Sequence, residues 1–157
     1  MRKRIISSAR QDTTSPEPEW LNIDRLTEVE ITSEDSDYPV ENALLPGRSP
    51  EWRAAAPGEQ TIRLLFDHPQ QLGRIWLNFT ETHIERTQEF VLRWSPDNGQ
   101  SFREIVRQQR NFNPQGASSE TEDLQVELAA VTVLELHIIP DISGGNACAS
   151  LAKLRLA

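Results

Sequence analysis

Short runs of alternating apolar and polar residues, separated by turn residues, make up most of the chain. Val29 and Ile31 alternate with Glu28, Glu30 and Thr32, which predicts a half-buried strand over Leu26–Thr32. Ile62, Leu64 and Phe66 share one face of Thr61–Asp67. Ile75, Leu77 and Phe79 share one face of Leu72–Phe79, with Arg74, Trp76 and Asn78 on the other. Phe90, Leu92 and Trp94 point inward from Glu89–Trp94. The returning Ser101–Arg107 has Phe102 and Ile105 out of strict alternation, which predicts a bulge. Leu124, Val126 and Leu128 alternate cleanly, Val131–Ile139 is the most β-prone run, and Ala149–Leu156 closes the chain. Between these runs, Asp97-Asn98-Gly99 is a hairpin signal, because Asn-Gly accepts positive φ. His68-Pro69-Gln70-Gln71 predicts a short turn and Ala129-Ala130 a tight connection. Pro39–Leu45 predicts one or two helical turns stopped by Pro46-Gly47.

Eight short strands with almost no helix predict an all-β fold, an antiparallel eight-stranded jelly-roll β-sandwich. Parallel crossovers would need longer helices than the pattern offers. If strand directions alternate, the connections 33–60, 80–88, 108–122 and 140–148 fall at one end. The short ones at 68–71, 95–100 and 129–130 fall at the other. Long loops on a rigid sandwich are where binding sites sit. The gripping residues there are Trp52, Arg53, His83, Arg86, Asn111, Phe112, Asn113, Asp141 and Asn146. Residues 1–19 are polar and predict a flexible N-terminal arm, with 20–157 as the domain. Trp20, Leu21 and Ile23 are placed to pin the arm's end.

The 157 residues suit one core, and 37% hydrophobic content with ten prolines suits short, punctuated elements. A net charge of -8 disfavours phosphate backbones, so nucleic acid is the weaker partner class. The single cysteine, Cys148, excludes an internal disulfide and fits a reducing compartment. Met1-Arg2-Lys3-Arg4 is followed only by Ile5-Ile6, too little apolar sequence for a secretory signal, and no run has transmembrane length. The expected location is cytoplasmic.

No enzyme is expected. His68, His83 and His137 lack metal-ligand spacing, no Gly-x-Ser-x-Gly elbow occurs, and Cys148 has no nucleophile partner and is expected to be buried or inert. Ser143-Gly144-Gly145-Asn146 is too short for a phosphate loop and precedes a strand. Ser95–Phe102 fits the Asp-box pattern of sialidase propellers, but a single copy reads as a hairpin. Arg63, Arg74, Arg93, Arg103 and Arg107 fall mostly on outward strand positions. They form either a basic face or, the favoured reading, a solvated face paired with Asp67, Glu89, Glu104 and Glu127. Trp76 also points outward, a cover beneath the arm more readily than a sugar platform.

Several of these pieces together resemble the coagulation factor 5/8 type C, or discoidin, family. They are Glu41-Asn42-Ala43-Leu44, Trp52, Ile62-Arg63-Leu64, Phe90 through Phe102, Leu134 through Pro140, and Leu151 through Leu156. The resemblance spans roughly residues 26–157 and implies a galactose-binding-like jelly roll. Glu41-Asn42, Trp52-Arg53-Ala54-Ala55, Gly58-Glu59 and Thr61-Ile62 are also locally similar to the N-terminal domains of X-ray repair cross-complementing scaffold proteins. The first fits a non-catalytic carbohydrate-binding module; gripping a sugar at the long-loop pole by aromatic stacking and planar polar groups, it would use Trp52, Arg53, His83, Arg86 and Asn113. The second implies a protein–protein or DNA-repair scaffold. Trp52 is either a ligand contact or a loop plug. Many discoidin-like domains hold a structural calcium. Here Lys153 stands where the closing strand often carries Glu, and Leu45-Pro46-Gly47 replaces an Asp-Gly pair. No cofactor is therefore expected, that calcium being the one candidate. The loop 108–122 offers only Phe112 as an apolar tip, so no membrane partner is expected.

Overall fold

Two strands of 21 residues each carry the architecture, β3 (Gln60–Thr80) and β6 (Ser119–Ile139) in the order of the chain. The computed structural model describes residues 19–157. β3 and β6 pair antiparallel from Gln60↔Ile138 to Thr80↔Ser119, with register shifts between Leu65 and Arg74. These shifts fall where a turn at 68–71 and a break at Ala129-Ala130 were predicted. The direction reverses at both places as predicted, but by a paired bend and not by a loop: the two strands stay laddered to each other, bulge and fold back together from one layer into the other, so that both ends of β3 lie at the same pole. Pro69 cannot donate to a ladder, and a bulge is one of the few strand positions that tolerates it.

The other strands are β1 (Thr27–Ile31), β2 (Trp52–Arg53), β4 (Arg86–Ser95), β5 (Arg103–Phe112), β7 (Ser150–Leu151) and β8 (Lys153–Leu156). The first layer runs β1-β3-β6-β4-β5, using the first half of β3 and the second half of β6. In the second layer the later half of β3 pairs with both β8 and the early half of β6. β2 and β7 form a separate two-stranded ladder. The architecture is the expected antiparallel sandwich, but its partition into eight short strands is not the observed one.

Period-2 patterning puts Ile62, Leu64, Phe90, Leu92, Leu134 and Leu136 of the first layer inside. Leu72, Ile75, Leu77, Phe79, Leu154 and Leu156 of the second face them. The rings of Phe79 and Phe90 meet across the layers with centroids 5.1 Å apart. Each such buried side chain stabilises the fold by roughly 1.5–3 kcal/mol before entropy is counted. The single-turn helices α1 (Ile23–Leu26) and α2 (Glu41–Leu44) close the ends of this core with Ile23, Ala43 and Leu44. Leu21 N–H donates to Leu156 O, and the Arg74 guanidinium lies over the Trp20 ring at 5.0 Å, so the chain is pinned where expected. Apart from Glu19, the predicted arm of residues 1–19 lies outside the described residues.

The β4–β5 pairing slips between Leu92↔Val106 and Arg93↔Glu104, leaving Ile105 as the extra residue of the predicted bulge. Their hairpin turns on Asn98 (φ 59°) and Gly99 (φ 90°). Asp97 braces it by accepting from the Ser101 hydroxyl and amide and from the Ser95 hydroxyl, which holds its carboxyl down at about 2. A Cβ at position 99 would meet the Phe102 ring at an ordinary van der Waals distance of 3.8 Å, but the left-handed backbone disfavours it. Gly99→Ala is expected to lower stability by about 1 kcal/mol, read as a lower urea midpoint with an unchanged slope.

Candidate functional site

The long connections gather at one end of the sandwich, and hydrogen bonds tie them together. Glu81 N–H donates to Ser118 O at 2.9 Å, joining the β3–β4 and β5–β6 connections. Ile142 N–H donates to Thr87 O, and Arg86 Nη1 donates to Pro140 O, both at 2.8 Å, fastening the 140–149 loop. Thr80 Oγ1 donates to Glu51 Oε1 at 3.3 Å, bringing in the connection before β3. At the opposite pole Thr132 Oγ1 accepts from Asn98 N–H and donates to Ser95 O, each at 2.8 Å.

A pocket of about 180 Å³ opens among these loops, walled by Arg53, Glu51, Glu81, His83, Ile84 and Cys148. Its position follows from β2, which pairs with β7 through Trp52↔Leu151 and Arg53↔Ser150. Alternation along β2 sends Trp52 into the core and Arg53 toward the pocket. Trp52 is 0% exposed, and its Nε1–H donates to Ser33 O at 3.0 Å. Arg53 donates from Nε to Glu51 Oε2 and spreads its guanidinium over the Tyr38 ring at 4.4 Å.

Glu81 organises the other wall. One carboxylate oxygen accepts from Arg86 Nε at 2.7 Å, and the other accepts the His83 and Ile84 amides at 3.0 and 3.4 Å. Burial alone pushes the Glu81 carboxyl up. The Arg86 guanidinium and the two amides outweigh it, and the group stays ionised below the usual carboxylate range. Arg86 lies beneath this wall, 2% exposed, with its guanidinium over the Phe112 ring at 5.0 Å.

Of the five expected contacts, the structure therefore brings Arg53 and His83 into one pocket. Trp52 and Arg86 cannot present a face to a ligand, because both are buried and hydrogen-bonded inward. Asn113 lies outside the pocket lining and closes its own turn, its Oδ1 accepting from Gln115 N–H at 3.0 Å. Glu51, Glu81, Ile84 and Cys148 were not foreseen. Cys148 is exposed rather than buried, because the chain from Ala147 to Ala149 alternates and turns it outward.

No protein-family model and no curated protein matches the chain. Solved structures do. A CBM32 module from a family 31 glycoside hydrolase of Clostridium perfringens aligns with a TM-score of 0.63 at 20% identity, over 87% of this chain and 93% of its own. A second Clostridium perfringens CBM32, in complex with GalNAc-β-1,3-galactose, gives 0.61 at 19% identity, over 88% and 99%. A pectin-binding carbohydrate-binding module gives 0.61 at 17%, over 83% and 89%. The chain has the fold of the CBM32 carbohydrate-binding modules. This is the galactose-binding-like sandwich, and the discoidin resemblance is consistent with it.

Away from the pocket, four of the five strand arginines singled out in the sequence are opposed by carboxylates, and Arg103 lies over the Trp94 ring at 5.2 Å. Arg63 and Arg93 both bind Glu135, itself 3% exposed, and Arg63 also reaches Glu30. Arg74 pairs with Asp123, and Arg107 with Glu89 and Glu104. Glu89 and Glu104 were expected as partners. Glu135 and Asp123 take the places given to Asp67 and Glu127, because register rather than proximity in sequence sets cross-strand neighbours. Arg63, Arg74 and Arg93 thus form no unopposed basic patch.

The candidate calcium loop is addressed by cations. Lys153 Nζ donates to Arg48 O at 3.5 Å, and Arg155 donates to Ala43 O at 2.9 Å and Leu45 O at 3.3 Å. Carbonyls met by an ammonium and a guanidinium do not suit a hard divalent ion. Among the described residues, no helix is long and apolar enough to cross a membrane.

Proposed function

We propose that residues 20–157 act as a non-catalytic carbohydrate-binding module whose ligand enters the Arg53–His83 pocket. The observation that carries this reading is the coincidence of that pocket with the long-loop pole of a CBM32-type sandwich. Structures of the same fold were solved with GalNAc-β-1,3-galactose and with 4,5-unsaturated mannuronic acid. The carboxylates in the pocket suit binding better than catalysis. Glu51 is committed to Arg53 and Thr80, and Glu81 is held ionised and so is not poised to donate a proton. The paired arginines give the scaffold and nucleic-acid reading no corresponding support.

Cys148 provides a direct test. It is the chain's single cysteine and it lines the pocket, so thiol alkylation reports on pocket occupancy alone. A glycan array should yield binders, and a saturating binder should slow alkylation of Cys148 by maleimide. An array without binders, run beside a nicked-DNA assay that retains the protein, would overturn the reading. A binder that leaves the alkylation rate unchanged would move the site elsewhere.

A further inference from the structure

The identity of the sugar follows from what the pocket offers and what it has already used. This inference rests on the carbohydrate-binding reading above. A protein can hold a sugar by stacking an aromatic ring on it, by accepting from its hydroxyls, or by donating to its oxygens. The pocket wall contains no Phe, Tyr or Trp ring. Trp52 and Phe112 are each 0% exposed, and the Tyr38 ring is covered by Arg53. Its charged acceptors are partly engaged as well. Both oxygens of Glu51 and both oxygens of Glu81 already hold a protein donor.

What remains free is led by the pure donors of Arg53, with two groups beside them that can donate or accept. Among the described residues, Arg53 uses only Nε, and neither Nη1 nor Nη2 has a hydrogen-bond partner. The His83 ring and the Thr82 hydroxyl also have no partner among the described residues, and both residues are exposed. The Arg53 fork is held in place from two sides, by Glu51 on Nε and by Tyr38 beneath its plane. A fixed, planar guanidinium with a free edge is the group best matched to a bidentate carboxylate. The volume of about 180 Å³ lies below the roughly 300–1,000 Å³ of clefts that enclose drug-sized ligands. It admits one ring at a chain end, not a length of polysaccharide.

The geometry points to a terminal uronic acid as the ligand, its carboxylate paired with the free edge of Arg53 and its remaining oxygens facing His83 and Thr82. Selectivity for an acidic over a neutral sugar then comes from Arg53, and a weak aromatic contribution is not a defect of the site.

Calorimetric titration of the full chain tests this. The probes are galacturonate, glucuronate and mannuronate oligomers, the methyl ester of each, and the neutral galactose, glucose and mannose oligomers. At least one acid should bind, with its ester about 10- to 100-fold weaker, the loss of a charge-assisted pair. Arg53→Gln should weaken the acid by a similar factor and narrow the gap between acid and ester. Because Arg53→Gln also removes a partner of Glu51, the comparison of acid with ester on the unaltered chain is the deciding one. Esters or neutral sugars that bind as tightly as the acids would overturn the uronate assignment and leave the carbohydrate-binding reading standing. Failure of every sugar to bind or to protect Cys148 would remove both.

Discussion

Replacing Trp52 by alanine is expected to cost about 3–5 kcal/mol of folding stability, the range for emptying a fully buried aromatic site. The side chain is the largest in the core and 0% exposed. It spans from the β2–β7 ladder to Ser33, whose carbonyl it satisfies and whose hydroxyl bonds Gln60 Oε1 and Ala55 N–H. Truncation leaves a cavity and a carbonyl without its donor at the same time. Trp52→Phe keeps most of the volume and loses the Nε1–H bond, so its expected cost is smaller, about 1–2 kcal/mol. Urea unfolding followed by circular dichroism measures both. Glu51 and Arg53 flank Trp52 directly, so the alanine variant should also lose ligand affinity without having removed a ligand contact. A loss below about 1 kcal/mol would show that the loop does not depend on its plug.

That prediction separates two meanings of a conspicuous residue, and the same distinction explains what could be read from the chain alone. Alternation at Ile62–Phe66, Ile75–Phe79 and Leu124–Leu128 was legible because an inward face needs apolar residues whatever the partner strand is. The gathering of long loops was legible because it depends only on alternating direction. The continuity of β3 and β6 was not. Pro69 and Ala129-Ala130 have local properties of a chain break, and only the partner strand, bulging in step, turns them into bends. Arg53 and His83 could be picked out as polar loop residues. The burial of Arg86 could not, because it is set by Glu81, Phe112 and Pro140, which come together only in the folded chain. Glu81 lies two residues before His83, and its capping of the His83 and Ile84 amides was the local signal available for it.

Raising the pH from 5 to 8 is expected to destabilise the protein, and Glu120→Gln is expected to abolish most of that dependence. Glu120 opens β6 on its inward side, 4% exposed, with Oε1 lacking any hydrogen-bond partner among the described residues. Burial drives its carboxyl up, and Glu122, two residues on and on the same face, drives it further. Arg110 and Gln88 oppose this only partly, and the group is raised to about 7. The folded state therefore prefers the protonated form. Its contribution is fully present below the unfolded value of 4.5 and is lost as the pH rises through about 7. A shift of that size amounts to about 3 kcal/mol at pH 8. The acid limb runs the other way. Asp97, held at about 2 by Ser101 and Ser95, contributes stability that is lost as the pH falls from its ordinary value of 3.8. Glu81 and Glu135, also held below their ordinary value, act in the same sense. The stability maximum should accordingly lie near pH 5. Melting temperatures of the natural chain and Glu120→Gln across pH 4–9 decide the matter. The variant should overtake the natural chain between pH 6 and 8, whereas parallel curves would show that another group carries the titration. Among the described residues, Nη2 of Arg86 and Nε2 of Gln88 likewise lack partners, and Arg86 Nη1 donates to Gln88 Oε1 in the same buried region.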